Sequence, residues 1–377
     1  MESIAPDKII RLSKSCLGDA EKQAVMGILD REFLGMGDEV QQFELALSDF
    51  FGRQAVCVVN GTAALQLALQ ACGIGAGDEV LVQSLTYVAS FQAISATGAI
   101  PVACDVNSET LTLDWRDAEK RLTPKTKAVM PVHYSGGVGA LDEIYAFANR
   151  YGLRVIEDAA HAFGTVFQGN RVGGFGDIAC FSFDGIKNIT SGEGGCIVTD
   201  DQEILRKVQD ARLLGVEKDT AKRYTGQRSW EFDVKGQGWR YHMSNIMAGI
   251  GLVQLQRFPK FAATRQLLAH CYNELLYHHS RIQLLPIDFN KVVPHIYVLH
   301  IKGLSNRKDL QASLLEQGVQ TGFHYQPNHL LSLYQNSTLQ QLPVTDFVFP
   351  KLLSLPMHPD LDENDIKLIS KKLLNSI

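Results

Sequence analysis

Between residues 54 and 200, short apolar, β-branched runs alternate with stretches whose apolar residues recur at helical spacing. QAVCVVN (54–60) leads at once into GTAALQLALQACG, a helical pattern that ends at Gly73. DEVLVQ (78–83), helical YVASFQAISATG (87–98) and AIPVACDV (99–106) come next. KAVMPVHY (127–134), helical DEIYAFANRYG (142–152) and LRVIEDAA (153–160) follow. DIACFSF (177–183) and GGCIVTD (194–200) add two strand-like runs with Gly-rich connections. Strands apolar on both faces must be covered on both, and the intervening helices supply the covers. The expectation is an α/β fold with a largely parallel sheet.

The pattern changes further on. Residues 214–236 are polar, aperiodic and charged, and read as a long exposed loop of the kind that often carries function. A long helical stretch begins at 245, with Pro259 expected to break or kink it. HIYVLHIKG (295–303), helical RKDLQASLLEQG and VQTGFHYQP (319–327) suggest a smaller α+β unit, closed by the amphipathic helix ENDIKLISKKLLNSI. The 377 residues are ample for two units. We place a large domain at 1–257 and a small C-terminal domain at 258–377, with segment 1–30 a candidate to pack on the small one.

Charge and cysteine usage narrow the function classes. A net charge of -5 without a basic block argues against nucleic acid and anionic membranes as partners. The seven cysteines are scattered, with no C-x-x-C pair and no Cys/His cluster, as expected of reduced thiols in a cytoplasmic protein without a zinc site. The N-terminus has no apolar signal-like region, and no apolar run approaches the ~18 residues of a membrane span.

Asp158 falls at the C-terminal end of a predicted central strand, where open α/β sheets bind ligands. Lys187 lies in the Ser/Gly-rich FSFDGIKNITSGEGG. A strand-end carboxylate and a lysine in a Gly-rich turn are the two groups pyridoxal phosphate (PLP) needs, one for the pyridine nitrogen and one for the Schiff base. Each residue alone also fits a turn-capping Asp or a solvated loop Lys. Asn60-Gly61-Thr62-Ala63-Ala64 marks a strand turning directly into a helix. Free N–H groups there favour an anion, and Gly61 lets a phosphate approach, although N-capping by Thr62 explains the pattern equally well. Gly73-Ile74-Gly75-Ala76-Gly77 follows a helix and precedes a strand, the wrong order for a dinucleotide fingerprint.

Taken in order, these segments resemble the DegT/DnrJ/EryC1/StrS family of sugar aminotransferases, within the aspartate aminotransferase superfamily of fold type I. The resemblance runs from GMGDEVQQFELALSDFFG (35–52) through NGTAALQLAL, GDEVLVQSLTYVASFQAISATGAIPVACDV and EDAAHAFGTVFQGNRVGGFGDIACFSFDGIKNITSGEGGCIVTDD. It continues in YHMSNIMAGIGLVQLQRF, TGFHYQP and LLSLPMHP. It implies a seven-stranded, mostly parallel sheet flanked by helices, plus a small α+β domain.

The resemblance also implies a site. Lys187 would bind PLP covalently and then act as general acid and base, which calls for a depressed pKa. Asp158 would keep the pyridine nitrogen protonated. Tyr87 would stack on the ring, unless it packs on a helix face. His161 would bond the phenolic oxygen, with a packed core histidine as the other reading. Ser182 would bind phosphate together with the Thr62 and Ala63 N–H groups.

Where the family commonly reads G-x-N-x-R-M-S, this chain has Gly238-Trp239-Arg240-Tyr241-His242-Met243-Ser244. The family Asn reaches the phosphate in the other subunit of a homodimer. Arg240 at that position could grip phosphate or reach an anionic group of the substrate. The 214–236 loop, His324 and Tyr325 are further candidates for the substrate surface.

The implied activity is transfer of the amino group of L-glutamate to a keto sugar, making an amino sugar for surface polysaccharide such as lipopolysaccharide. The acceptor would be a nucleotide-linked 3- or 4-keto-6-deoxyhexose. The alternative is a free keto sugar acid such as 8-keto-Kdo, giving 8-amino-3,8-dideoxyoctulosonate. Lys187 argues against the family's dehydratase branch, which has histidine there. Retention of Lys187 and Asp158 argues against a non-catalytic regulator. Arg281 and Arg307 are too weakly placed to suggest an amino-acid aminotransferase.

Overall fold

The computed structural model describes residues 9–335 and 341–377. The alternation seen in the sequence becomes strands β1 (Ala55–Val58), β2 (Glu79–Gln83), β3 (Ile100–Cys104), β4 (Thr126–Met130) and β5 (Arg154–Asp158). A small hairpin of β6 (Val166–Phe167) and β7 (Asn170–Arg171) precedes β8 (Ile178–Ser182) and β9 (Gly195–Val198). Seven of these form one sheet in the order β1-β9-β8-β5-β4-β2-β3. The pairs from β3 across to β8 are parallel, while β9 runs antiparallel to both its neighbours. Neighbouring strands out of chain order mean that the crossovers reverse direction within the sheet, which opens a crevice at the strand C-termini.

Helices α1 (Asp19–Asp30) and α2 (Asp38–Phe51) precede the sheet. Inserted between its strands are α3 (Gly61–Ala71), α4 (Val88–Ala96), α5 (Trp115–Lys120) and α6 (Leu141–Tyr151), with α7 (Gln202–Ala211) after β9. Successive side chains of a strand point to opposite faces, and both faces are apolar here. Val56 and Val58 of β1 join the core beneath α3, α4 and α7, whereas Ala55 and Cys57 join the Phe43 and Leu47 side of α2. Leu81, Val129 and Val155 pack under α5 and α6. Among the described residues no helix is long and apolar enough to cross a membrane.

The 214–236 segment is not structureless. It contains α8 (Asp219–Tyr224), a single turn pinned by an Arg223–Asp219 ion pair at 2.6 Å and by the Tyr224 hydroxyl, which donates to Glu44. Beyond it the segment is exposed, with Trp230 87% exposed. The helix α9 (Asn245–Leu276) runs unbroken through Pro259, so the chain does not break there. Proline removes one backbone hydrogen bond there, but Phe258 and Phe261 on either side are both buried, and that packing carries the helix through.

The C-terminal part is an antiparallel sheet of β10 (Ile282–Leu284), β11 (Tyr297–Ile301) and β12 (Leu352–Leu355). The second half of α9, α10 (Arg307–Glu316) and α12 (Glu363–Ser376) cover it, and α11 (Pro343–Val348) lies against the large sheet's side. VQTGFHYQP forms no continuous strand, only bridges at Val319 and Gly322. Of segment 1–30, residues 1–8 lie outside the described residues. Ile10 bridges Val319, Leu12 accepts from the Met357 N–H, and α1 lies along α9.

Candidate active site

The crevice at the strand ends holds a cavity of about 460 Å³. Gly61, Thr62, Tyr87, Asp158, His161, Ser182, Lys187, His324 and Tyr325, all singled out from the sequence, line it together.

The turn from β1 into α3 forms one wall. Asn60 is in extended backbone and caps the helix by accepting the Ala63 N–H at 2.8 Å. The cap is therefore Asn60 rather than Thr62. Ala63, grouped from the sequence with the phosphate-binding N–H groups, is off the cavity wall with its N–H already engaged. Gly61 and Thr62 keep their N–H groups at the positive end of the helix, open to an anion. Facing them is Ser182 at the end of β8. A Cβ added at Gly61 would lie 2.8 Å from the Ser182 Cβ, so only glycine leaves this cradle open.

Asp158 ends β5 and is buried. Its Oδ2 accepts from Ser90 at 2.7 Å and its Oδ1 from the Ala160 N–H at 3.2 Å, so both oxygens are oriented. Lys187 rises from the turn after β8. That turn is tied by Asp184, whose Oδ1 accepts from the Ile186 N–H at 3.2 Å and whose carbonyl accepts from the Lys187 N–H at 3.0 Å. Burial lowers the Lys187 pKa to about 8, against an opposing pull from Asp158 and Asp184. A lysine so placed is partly neutral near pH 8 and can take and return a proton.

Three imidazoles surround it. His161 and His295 are held well below the usual histidine range, and His324 falls to about 4, in each case first through burial and then through Lys187. Near neutral pH all three are uncharged. His161 Nε2 meets the Tyr325 hydroxyl at 2.9 Å, while its buried Nδ1 has no partner among the described residues. Tyr87, half exposed at the start of α4, faces Tyr325 with ring centroids 5.4 Å apart. Behind this wall Ser84, His329 and Asp346 form a line of hydrogen bonds, but Ser84 is fully buried and cannot meet a substrate.

Arg240 does not line this cavity. It is exposed, bridged to Leu213, on the strip after the 214–236 segment. His242 is half buried, its pKa lowered to about 4 by burial and then by Arg240 and Arg212. Arg281 donates to backbone carbonyls at the surface, and Arg307 does likewise while stacking on Phe323 and Phe349. Neither faces the cavity.

The sequence reading missed Asp184, Glu193, Ser90 and His295. Asp184 stands two residues after Ser182, and its Asp-Gly turn signal was legible. His295 reaches Lys187 from 108 residues away, and no local pattern could announce it.

The residues present fit PLP. Gly61, Thr62 and Ser182 form an anion cradle with no room for a further Cβ, His161 has a buried nitrogen without a partner, and an oriented carboxylate and a partly neutral lysine complete the donor set.

The model of the DegT/DnrJ/EryC1/StrS aminotransferase family matches residues 15–374. Similar solved structures include Helicobacter pylori PseC, an aminotransferase involved in the biosynthesis of pseudoaminic acid. It is 26% identical with a TM-score of 0.90, over 98% of this chain and 99% of that one. The aminotransferase TlmJ from Streptoalloteichus hindustanus is 30% identical with a TM-score of 0.90, over 98% of each chain. The sugar aminotransferase CalS13 from Micromonospora echinospora is 27% identical with a TM-score of 0.89, over 97% of this chain and 100% of that one.

Proposed function

The chain belongs to the DegT/DnrJ/EryC1/StrS aminotransferase family, and from that premise we propose that it moves the amino group of L-glutamate onto a keto sugar. It is a PLP-dependent sugar aminotransferase of fold type I; the donor and the acceptor are our reading. The observation that carries this reading is that Lys187 and the oriented Asp158 carboxylate line one cavity with the Gly61, Thr62 and Ser182 cradle.

When bound, PLP supplies an electron sink for the pair left by a broken C–H bond. Asp158 would hold its pyridine nitrogen, and Ser182 with the Gly61 and Thr62 N–H groups would hold its phosphate. Tyr87 would cover the ring, and His161 would reach its phenolic oxygen through an uncharged imidazole. Lys187 does the proton work. Its Nζ would take the proton from the donor's carbon and return it to the carbon on the other side of the transferred nitrogen. The same steps run in reverse with the keto sugar.

Asn60, Thr86, Asp184 and Glu193 also line the cavity, and such groups suit the hydroxyls of a sugar. This favours a nucleotide-linked 3- or 4-keto-6-deoxyhexose with its sugar in the cavity. A free keto sugar acid such as 8-keto-Kdo calls for a cation besides Lys187; none of the described residues of this chain supplies one to the wall, so Arg240 of the partner subunit would have to provide it. A homodimer, with Arg240 of each copy directed at the other's site, belongs to the same reading, supported by the exposure of Arg240. So does a cytoplasmic location, supported by seven free thiols, and a product destined for surface polysaccharide.

The test is the absorbance spectrum of the protein with PLP, before and after L-glutamate. The expected result is an aldehyde-derived band that collapses on adding glutamate, returns with a keto sugar, and never forms in Lys187→Ala. A wild-type band that ignores glutamate refutes the donor, and return with 8-keto-Kdo alone refutes the acceptor.

A further inference from the structure

Lys187 Nζ has one hydrogen-bond partner among the described residues, the Nε2 of His295 at 3.4 Å. His295 comes from the C-terminal part of the chain, and two separate devices bring it there. Asn188, next to Lys187, donates its amide to the Val293 carbonyl at 3.1 Å. Arg265 of α9 donates to the carbonyls of Pro294 at 3.3 Å and His295 at 3.2 Å, and to that of Met357 at 3.3 Å.

Arg265 is 1% exposed and has no carboxylate partner among the described residues. A buried guanidinium bonded only to carbonyls is a costly way to hold a loop, and what it holds is the backbone of His295. The imidazole is itself buried, with its ring centroid 4.6 Å from that of His161. Nearby charged and titratable groups are Lys187, His161, His324 and Arg265 around His295, with Asp158 and Asp184 around Lys187.

We propose that His295 is a positioning residue for Lys187, its Nε2 accepting a hydrogen bond from Nζ whenever that amine is not bonded to the cofactor. An uncharged imidazole has one acceptor nitrogen and one donor nitrogen. The contact to Nζ takes the acceptor, which leaves Nδ1 as the N–H, and Nδ1 has no partner among the described residues. The amine is free during the half of the cycle in which the cofactor carries the amino group. Without a fixed acceptor its side chain would sample several rotamers in a cavity of about 460 Å³. With one, the nitrogen stays beside the atoms between which it moves the proton. An acceptor also favours the ammonium over the amine, partly offsetting burial.

This inference rests on Lys187 being the cofactor-binding amine. The apoprotein is mixed with PLP at a series of pH values, and the rate at which the absorbance band appears is recorded. In the wild type the rate should rise with a midpoint near the Lys187 value of about 8. His295→Phe removes the acceptor, and the midpoint should fall by about one to two pH units, the size expected for a hydrogen bond to a charged group. His295→Gln restores an acceptor oxygen, and its midpoint should return toward the wild type. If His295→Phe does not fold, as judged by its melting curve, His295→Leu makes the same comparison. An unchanged midpoint in the Phe or Leu variant, or an equal shift in the Gln variant, overturns the proposal while leaving Lys187 in its role. A wild type that forms no band overturns both.

Discussion

Replacing Glu44 of α2 by glutamine should cost the fold about 3–5 kcal/mol, the range for stranding one partner of a buried ion pair. Arg212 is fully buried and donates through Nη1 to the Glu44 carboxylate, through Nη1 to the Cys57 carbonyl at 2.6 Å, and through Nη2 to the Tyr224 hydroxyl at 3.0 Å. Glu44 in turn accepts the Cys57 N–H at 2.7 Å and the Tyr224 hydroxyl. Burial opposes the Arg212 charge, yet Glu44 and Tyr224 outweigh it and raise its pKa above the ordinary value. No other carboxylate reaches this guanidinium among the described residues. In Glu44→Gln the shape survives, but the counter-charge is lost and an amide N–H₂ must face a cation or a hydroxyl.

The assay is urea unfolding of the apoprotein followed by circular dichroism. Adding 0.5 M salt should not restore stability, because a pair this deep is screened little. The double variant Glu44→Leu with Arg212→Met should recover most of the loss, since well-packed apolar residues can replace a buried pair. A loss below about 1 kcal/mol for Glu44→Gln would refute the reasoning, because it would mean the guanidinium finds water or another acceptor at no great cost.

Gly61→Ala sets helix propensity, worth up to about 1 kcal/mol in its favour, against a 2.8 Å approach to Ser182. Overpacking costs about 1–3 kcal/mol, so the apoprotein should melt lower and PLP should bind more weakly by equilibrium dialysis. Asp158→Asn should lower the rate of glutamate turnover about 10–150-fold, the equivalent of losing one charge-assisted hydrogen bond of roughly 1.5–3 kcal/mol, while stopped-flow mixing still shows the band form. Acid should destabilise the apoprotein over a defined window. His324 titrates near 4 when folded and near 6.5 when unfolded, so between those values the unfolded chain binds the extra proton and stability falls as pH falls. Lys187 acts in the same sense between about 8 and 10.5, where stability should rise with pH. Chemical melts across pH 4–10.5 would check both slopes, and a flat profile would contradict the burial of these groups.

The residues of the sheet and of the cofactor turn were legible because local pattern dictates them. Each run from 54–60 to 194–200 contains a strand, since a segment apolar on both faces has nowhere to go but between two layers of helices. Asp158 and Lys187 were legible because they stand at a strand end or in the turn beyond one, whereas Ser182 came only from the family resemblance. The strand order and the antiparallel setting of β9 were not, because pairing depends on crossovers rather than on composition. The same reason hid His295 and Ser90, whereas Asn60's capture of the Ala63 N–H is local and was passed over because Thr62 offered a competing cap. Pro259 misled because its intrinsic cost is local, whereas the burial of Phe258 and Phe261 that overrides it is tertiary. The α8 turn was missed in an otherwise polar stretch because its anchor, Glu44, lies 180 residues from Tyr224 in the chain.

The single span of α9 has a consequence for any attempt to take the molecule apart. Its first half lies against α1 and α2, and its second against α12 and β10. Severing the chain between residues 257 and 258 would cut through the middle of that helix rather than through a linker. Each fragment would end in a frayed half-helix, and Phe258 at the cut would be parted from Phe50 and Phe163, the rings it packs against. Split-protein pairs, intein junctions and domain-by-domain expression would fail at this point and succeed, if anywhere, in the exposed stretch around Trp230.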